Sequence, residues 1–459
     1  MKSKVIDMSV GSPTKHLLAF TFPLLIGNVF QQLYNMVDSL IVGNFVGANA
    51  LAAVGTCGPL NFFFFSLSSG LAVGIGIIVA QYFGAKNDKM VRTTVSNSFY
   101  VLGVVSVVVT LIGYIFAKLF LRILQCPDVI LAESVTYLRI TTLGIIFTAL
   151  YNGIASILRA LGDSRTPLYF LIISSIINLV LDFVFVLACH WGVFGVGFAT
   201  IIAQAVSGIL CLIYAYYKNE YFHLSRKELH PNRIIIISSF KLGVPLAFQG
   251  TLISISVMAL QGVVNSFGET IMASFTIVHR IESLIQQPYG SLGAAVTTFS
   301  GQNYGAKDLT RVKKGFHRAT FIAFCFTAVI VPVFQIFADH IIGWFIKDPE
   351  VIRIGAIALR LTSWFYLPLG MIYVPRAVLN GCGDTTFSMI NGITEVICRI
   401  AFSQILIRFA GFTIFGKFIP VGFWGIWLTE GITWSITAVI CLIRYRTGKW
   451  RTFELGKME

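Results

Sequence analysis

The hydrophobic pattern divides the chain into twelve long apolar runs separated by short polar connections. Their approximate limits are 17–43, 50–80, 92–120, 131–158, 166–189, 194–217, 236–266, 270–300, 315–343, 352–379, 386–410 and 421–443. Each is long enough to cross a bilayer as a helix, and several exceed its thickness, which implies tilt or projecting ends. Polar residues interrupt the first run at helical spacing. Asn28, Gln31, Asn35 and Asp38 follow one another at steps of three, four and three, which places all four on one face of a helix. A carboxylate at such depth costs about 2.5–3.5 kcal/mol on insertion scales, so it needs a partner, water, a proton or a cation. Pro23 precedes this face, removes one backbone donor and gives the helix a place to bend. Glue between helices is the plainer reading of the three amides.

The pattern also repeats. QYFGAK at 81–86 matches QNYGAK at 302–307, an offset of 221 residues. Leu138-Arg139 matches Leu359-Arg360, and Gly162-Asp163 matches Gly383-Asp384, at the same offset. Pro127–Ile130 matches Pro349–Ile352 one residue out of register, and Pro23-Leu24 opens the first run as Pro245-Leu246 opens the seventh. Six spans per half make the two halves enter the membrane in the same sense. The expectation is an all-α polytopic membrane protein: two six-helix bundles related by a pseudo-two-fold axis along the membrane normal, with a binding cleft between them. The boundaries follow as an N-lobe 1–217, a polar linker 218–240 and a C-lobe 241–459.

Composition agrees with this reading. Of 459 residues 56% are hydrophobic and 12% charged, about half the charge of a soluble domain. The net charge of +14 lies mostly in short loops between spans, a pattern of membrane orientation rather than nucleic-acid binding. It puts both termini in the cytoplasm of a multi-pass plasma-membrane protein. The eight cysteines form no C-x-x-C pair and read as small buried hydrophobes. No G-x-x-x-x-G-K-[ST], H-E-x-x-H or G-x-S-x-G motif occurs, so neither direct use of ATP nor hydrolase chemistry has support, and no cofactor is implied.

Within the membrane the two halves differ. Span 5 carries Asn178 and Asp182 four residues apart, span 6 carries Thr200 and Gln204, and span 4 carries Asn152. The counterparts of Asp38, Asp182 and Asn178 in the second half are Leu260, Ser403 and Arg399. A feature kept in one half of a duplicated fold points to a task. Two carboxylates in one low-dielectric pocket titrate as a pair, able to accept a proton or to share a cation through oxygen ligands. Tyr34 and Tyr151, beside the polar faces, are candidates for cation–π contact with an organic cation. Glu395 and Arg399, at i and i+4, are expected to pair on their own helix. Arg139 and Arg360, present in both halves, suggest a scaffold role, and Glu282 is left as an intramembrane carboxylate in need of a partner.

The twelve spans, the two similar halves, the P-x(14)-D of span 1 and the QYFGAK loop resemble the multidrug and toxic compound extrusion (MATE) family. The N-x-x-x-D of span 5, with a Thr eighteen residues later, is similar to its prokaryotic DinF-like branch. That resemblance implies a secondary antiporter, not an enzyme, exporting amphipathic or cationic organic compounds against inward H+ or Na+. It implies Asp38, Asn178, Asp182 and Thr200 as the cation site and Pro23 as the helix bend. Gln31, Tyr34, Asn35, Tyr151, Asn152 and Gln204 are the expected cavity residues. A monomer, with no nucleic-acid partner and no metal beyond Na+, is also implied. The carboxylates that the NorM-type branch carries on spans 7 and 10 are missing here, which leaves Glu282 as the C-lobe candidate. The rival reading is a lipid-linked precursor flippase of the same broad superfamily, for which Arg139, Arg159, Arg360 and Arg376 would meet an anionic headgroup.

Overall fold

The computed structural model describes residues 5–408, 411–414 and 417–452, with the side chains of 35, 39, 40, 48, 411–414 and 417–420 outside the described set. The first half runs α1 (Pro13–Ile41), α2 (Ala48–Gly84), α3 (Asp88–Ile115), α4 (Ala117–Ile123), α5 (Asp128–Leu143), α6 (Ile145–Ala160), α7 (Arg165–Phe183) and α8 (Gly192–Lys218). The second runs α9 (Arg233–Asn265), α10 (Glu269–Gly305), α11 (Leu309–Gly343), α12 (Pro349–Ser363), α13 (Tyr366–Gly381), α14 (Thr385–Arg408) and α15 (Gly425–Thr447). A two-stranded antiparallel hairpin, β1 (Gly411–Ile414) and β2 (Lys417–Pro420), joins the last two helices.

Among the described residues, nine helices are long and apolar enough to span a membrane, and two bent pairs bring that to eleven. The pairs are α5 with α6, bent by 40°, and α12 with α13, bent by 47°. They correspond to spans 4 and 10, each expected as one helix. The twelfth span is α10, whose 37 residues include Arg280, Glu282, Gln286 and Gln287 and so fall short on hydropathy alone.

The sequence repeat is a structural repeat. After α2 and after α10 the chain turns through Lys86 (φ 57°) and Lys307 (φ 60°) in the left-handed region. Asn87 and Asp308 then cap the next helix, accepting from the backbone N–H of Met90 at 3.2 Å and Arg311 at 2.8 Å. Arg139 donates to the Tyr114 carbonyl, and its counterpart Arg360 to that of Gln335, 221 residues beyond Tyr114. Both arginines therefore tie one helix of a bundle to its neighbour.

Between the halves, α2 packs on α9 and α10, and α1 packs on α10. Where α2 and α10 end, the contacts are reciprocal. Gln81 Nε2 donates to the Gly381 carbonyl and Gln302 Nε2 to the Ala160 carbonyl, each at 2.8 Å. The chain's N-terminal segment is laid over this seam. Ile6 N–H donates to the Leu161 carbonyl at 3.1 Å, Met8 N–H donates to Gln302 Oε1 at 2.8 Å, and Arg311 donates to the Met8 and Val10 carbonyls. Trp450 packs on Tyr445, which stacks on Phe316, so the described parts of both termini lie at the same closed end.

Candidate functional site

α1 serves both lobes. Leu17 and Phe20 belong to the C-lobe core, while the later turns pack on α7. Pro23 is buried between these two regions, and α1 passes through it unbroken. The apolar face of α1 thus has two docking surfaces, and the polar face is carried past the seam. Asn28 Nδ2 donates across that seam to Ser291 Oγ on α10 at 3.1 Å.

The N-lobe end of that polar face meets α7 and α8. The Asp38 and Asp182 carboxyls hydrogen-bond to each other. Asp182 is fully buried, and one oxygen of each carboxyl has no partner among the described residues. With its amide oriented to suit its neighbours, Asn178 donates to Asp182 Oδ2 at 2.9 Å and to the Tyr34 hydroxyl at 3.0 Å. Its oxygen then accepts the Thr200 N–H at 3.1 Å, and the Tyr34 hydroxyl also hydrogen-bonds with Thr200. The structure therefore brings Tyr34, Asp38, Asn178, Asp182 and Thr200 into one cluster. Two carboxyls in contact repel each other when both are ionised, so such a pair favours a proton or a cation shared between them.

Two features of this cluster were not anticipated. Tyr137 on α5 is buried within electrostatic range of both carboxyls; the pattern gave it no mark, since a lone tyrosine in an apolar run reads as core. Both acids also stand just ahead of a π-helical turn, Val42–Val46 after Asp38 and Val184–Ala188 after Asp182, and the two turns touch. Such turns cluster at functional sites.

The expected cavity residues divide. Gln31, Asn152 and Gln204 are half-buried, with no hydrogen-bond partner among the described residues. The side chain of Asn35 lies outside the described residues. Tyr151 is a correction: its ring packs in the N-lobe core and its hydroxyl donates to the Pro167 carbonyl at 2.9 Å, holding the start of α7.

The C-lobe holds a second polar cluster. Arg399 does not pair with Glu395 as its spacing suggested. It donates to Glu430 Oε2 on α15 at 2.7 and 3.2 Å, and to Ser256 on α9. Glu395 instead faces Arg376 at 3.8 Å. The i, i+4 spacing sets both groups on one face, but Glu430 of α15 and Arg376 of α13 stand opposite them and take the charges. Arg399 and Ser256 occupy the repeat positions of Asn178 and Tyr34, so the amide and the tyrosine that hold the acid pair in one lobe are replaced in the other by an arginine and a serine, with Glu430 as the arginine's partner. Glu430 is marked in the sequence as a carboxylate within the last apolar run, a signal that locates it without naming its partner.

Two helical bundles facing across a seam, with a helix shared between them and a buried acid pair beneath it, are the architecture of a membrane transporter. The chain belongs to the MATE family: the MatE family model matches residues 23–184 and again 245–405, one copy in each half. It is 28% identical over 453 residues to the probable multidrug resistance protein YpnP of Bacillus subtilis (strain 168), covering 98% of this chain and 99% of that one. It is 23% identical over 387 residues to the multidrug export protein MepA of Staphylococcus haemolyticus (strain JCSC1435), covering 83% and 84%. In fold it is similar to an outward-facing multidrug resistance MATE family transporter of the MOP superfamily, with a TM-score of 0.89 at 23% identity over 98% of both chains. A MOP superfamily transporter from Pyrococcus furiosus Vc1 gives 0.88 at the same identity and coverage.

Proposed function

We propose that the protein is a multidrug efflux antiporter that exports amphipathic organic cations in exchange for H+ or Na+ entering through the Asp38–Asp182 pair. The observation that carries this reading is the contact between these two carboxyls, one on the shared helix α1 and one on α7. An arriving cation or proton changes the charge of the pair, and with it the grip of α1 on the N-lobe. The helix then shifts against the two surfaces on either side of Pro23. One elementary charge crossing the membrane supplies about 2.3 kcal/mol per 100 mV, enough to drive a substrate against a tens-fold gradient. Reciprocity requires that bound substrate weaken the hold on the coupling ion. The Lys and Arg distribution favours cytoplasmic termini, and in that orientation the sealed end is the cytoplasmic one.

The test is uptake of a fluorescent organic cation into proteoliposomes, with pH and Na+ gradients imposed separately. Asp38→Asn and Asp182→Asn should each abolish gradient-driven transport in protein that elutes as the wild type does. Full transport in both variants refutes the reading. One observation favours the flippase instead: Arg159 lines an inter-lobe cavity with Asn28 and Ser291 and has no ion pair among the described residues. Thermal protection by polyprenyl phosphates alone, and not by organic cations, would decide for it.

A further inference from the structure

A cavity of about 270 Å³ lies in the C-lobe, apart from the acid pair. It is lined by α9, α10, α13, α14 and α15, with Phe62 of α2 contributing from the other lobe. Three carboxyls (Glu282, Glu395 and Glu430) and two guanidiniums (Arg376 and Arg399) face it. Arg399 is taken by Glu430 and Arg376 by Glu395. Gln249, in the orientation that suits it, accepts further from Arg376 at 2.6 and 3.3 Å. Glu282 is left over. It is 3% exposed, and its Oε1 has no partner among the described residues. Its only hydrogen bond there is with Thr362. The nearby groups do not neutralise it: Glu430 adds like charge, Arg399 is committed, and His279 stands on the same helix. With its carboxyls ionised, the cluster is one positive charge short.

The repeat shows that the fold does not need this charge. Glu282 and Thr362 correspond, at an offset of 221, to Asn61 and Thr141, and Thr141 Oγ1 donates to Asn61 Oδ1 at 2.9 Å. An amide makes the same inter-helix bond in the N-lobe, where no charge is stranded. A carboxylate kept at the C-lobe position therefore has something to bind. Two aromatic rings, Trp434 and Phe62, line it as well; Tyr373 also lines it, but its ring carries the Arg376 guanidinium at 5.0 Å. Electron-rich ring faces about an unpaired carboxylate recognise a monovalent organic cation.

We propose that this cavity is a binding site for the cationic head of an exported compound, with Glu282 as its counter-charge and Trp434 and Phe62 as its aromatic walls. The proposal rests on the exporter reading and places the substrate's charge in the C-lobe while the coupling ion uses the N-lobe. The test measures ethidium binding to the purified full-length protein by fluorescence polarisation. Glu282→Gln preserves the bond to Thr362, as Asn61 does in the other lobe, and should lower ethidium affinity at least tenfold. It should leave the affinity for an uncharged aromatic dye of similar size unchanged. Phe62→Ala, at a half-exposed rim position, should weaken ethidium several-fold and serves if Glu282→Gln does not fold. Unaltered ethidium affinity in Glu282→Gln overturns the proposal, as does loss of a Na+-dependent thermal shift with ethidium binding intact. If the wild type neither binds nor transports ethidium, the exporter reading fails first; if it does both and the variant equals it, only the C-lobe site fails.

Discussion

Arg399 stands one helical turn after Glu395 on α14, yet it spends its hydrogen bonds on Glu430 of α15 and Ser256 of α9. Arg399 and Glu430 are each about 4% exposed, so neither has water to fall back on. Removing one partner strands the other: Arg399→Leu should cost about 3–5 kcal/mol, read as a lower unfolding temperature in detergent. Arg399→Leu with Glu430→Leu should recover most of that loss, because a buried pair replaced by apolar side chains is close to neutral. The same residues show what was legible. Spacing along one helix locates charges on a face but not the helix that faces them, so Glu395–Arg399 was mispaired. Asp38, Asn178 and Asp182 were legible because each interrupts an apolar run at helical spacing. Tyr137 was not, since its role comes only from the carboxyls that other helices bring to it.

The N-terminal segment acts at the scale of an element. Residues 5–10 bridge the end of α6 in one lobe and α10 and α11 in the other, and Met8 is fully buried between them. Arg311 holds the segment through three hydrogen bonds to carbonyls, and Asp7 is paired with Lys86. Burial works to raise the Asp7 carboxyl pKa, but bonds from Lys86 and Ser9 outweigh it, and the net shift is downward. Its contribution to the closed end is therefore complete above the usual carboxylate range. It is lost only as pH falls through the lowered value. Arg311→Ala should free the segment at neutral pH, with faster proteolysis between residues 5 and 12 and a loss of about 1.5–3 kcal/mol, the range for hydrogen bonds to a charged group. Unchanged cleavage would show that the remaining bonds suffice. The segment was not legible as a bridge, because its six residues have no periodicity and its bonds use backbone atoms. The long spans were legible, apart from the bends dividing spans 4 and 10, which depend on packing across the bundle.

At the scale of the molecule, the pseudo-two-fold axis passes between the ends of α2 and α10, where the lobes touch without side chains between them. A Cβ on Gly84 would land on the Gln302 carbonyl, and a Cβ on Gly305 on the Gln81 carbonyl. These positions are again 221 residues apart, so one contact is made twice. It brings Gln81 and Gln302 into reach of carbonyls in the opposite half. In the proposed exporter this end opens and closes again, and its closed form has two glycines that leave room for backbone. Gly84→Ala or Gly305→Ala adds a methyl group against rigid backbone, a strain of about 1–3 kcal/mol that falls on the closed form alone. Each should move the population toward the state open at this end. A cysteine at Ser156, which lines the inter-lobe cavity, reports the change in a chain otherwise free of cysteine. A membrane-impermeant maleimide applied from the termini side should label it several-fold faster in either alanine variant than in the parent. The double variant should label faster still, since the two contacts close one gate. Equal rates in all four chains would mean that the lobes do not separate along this axis.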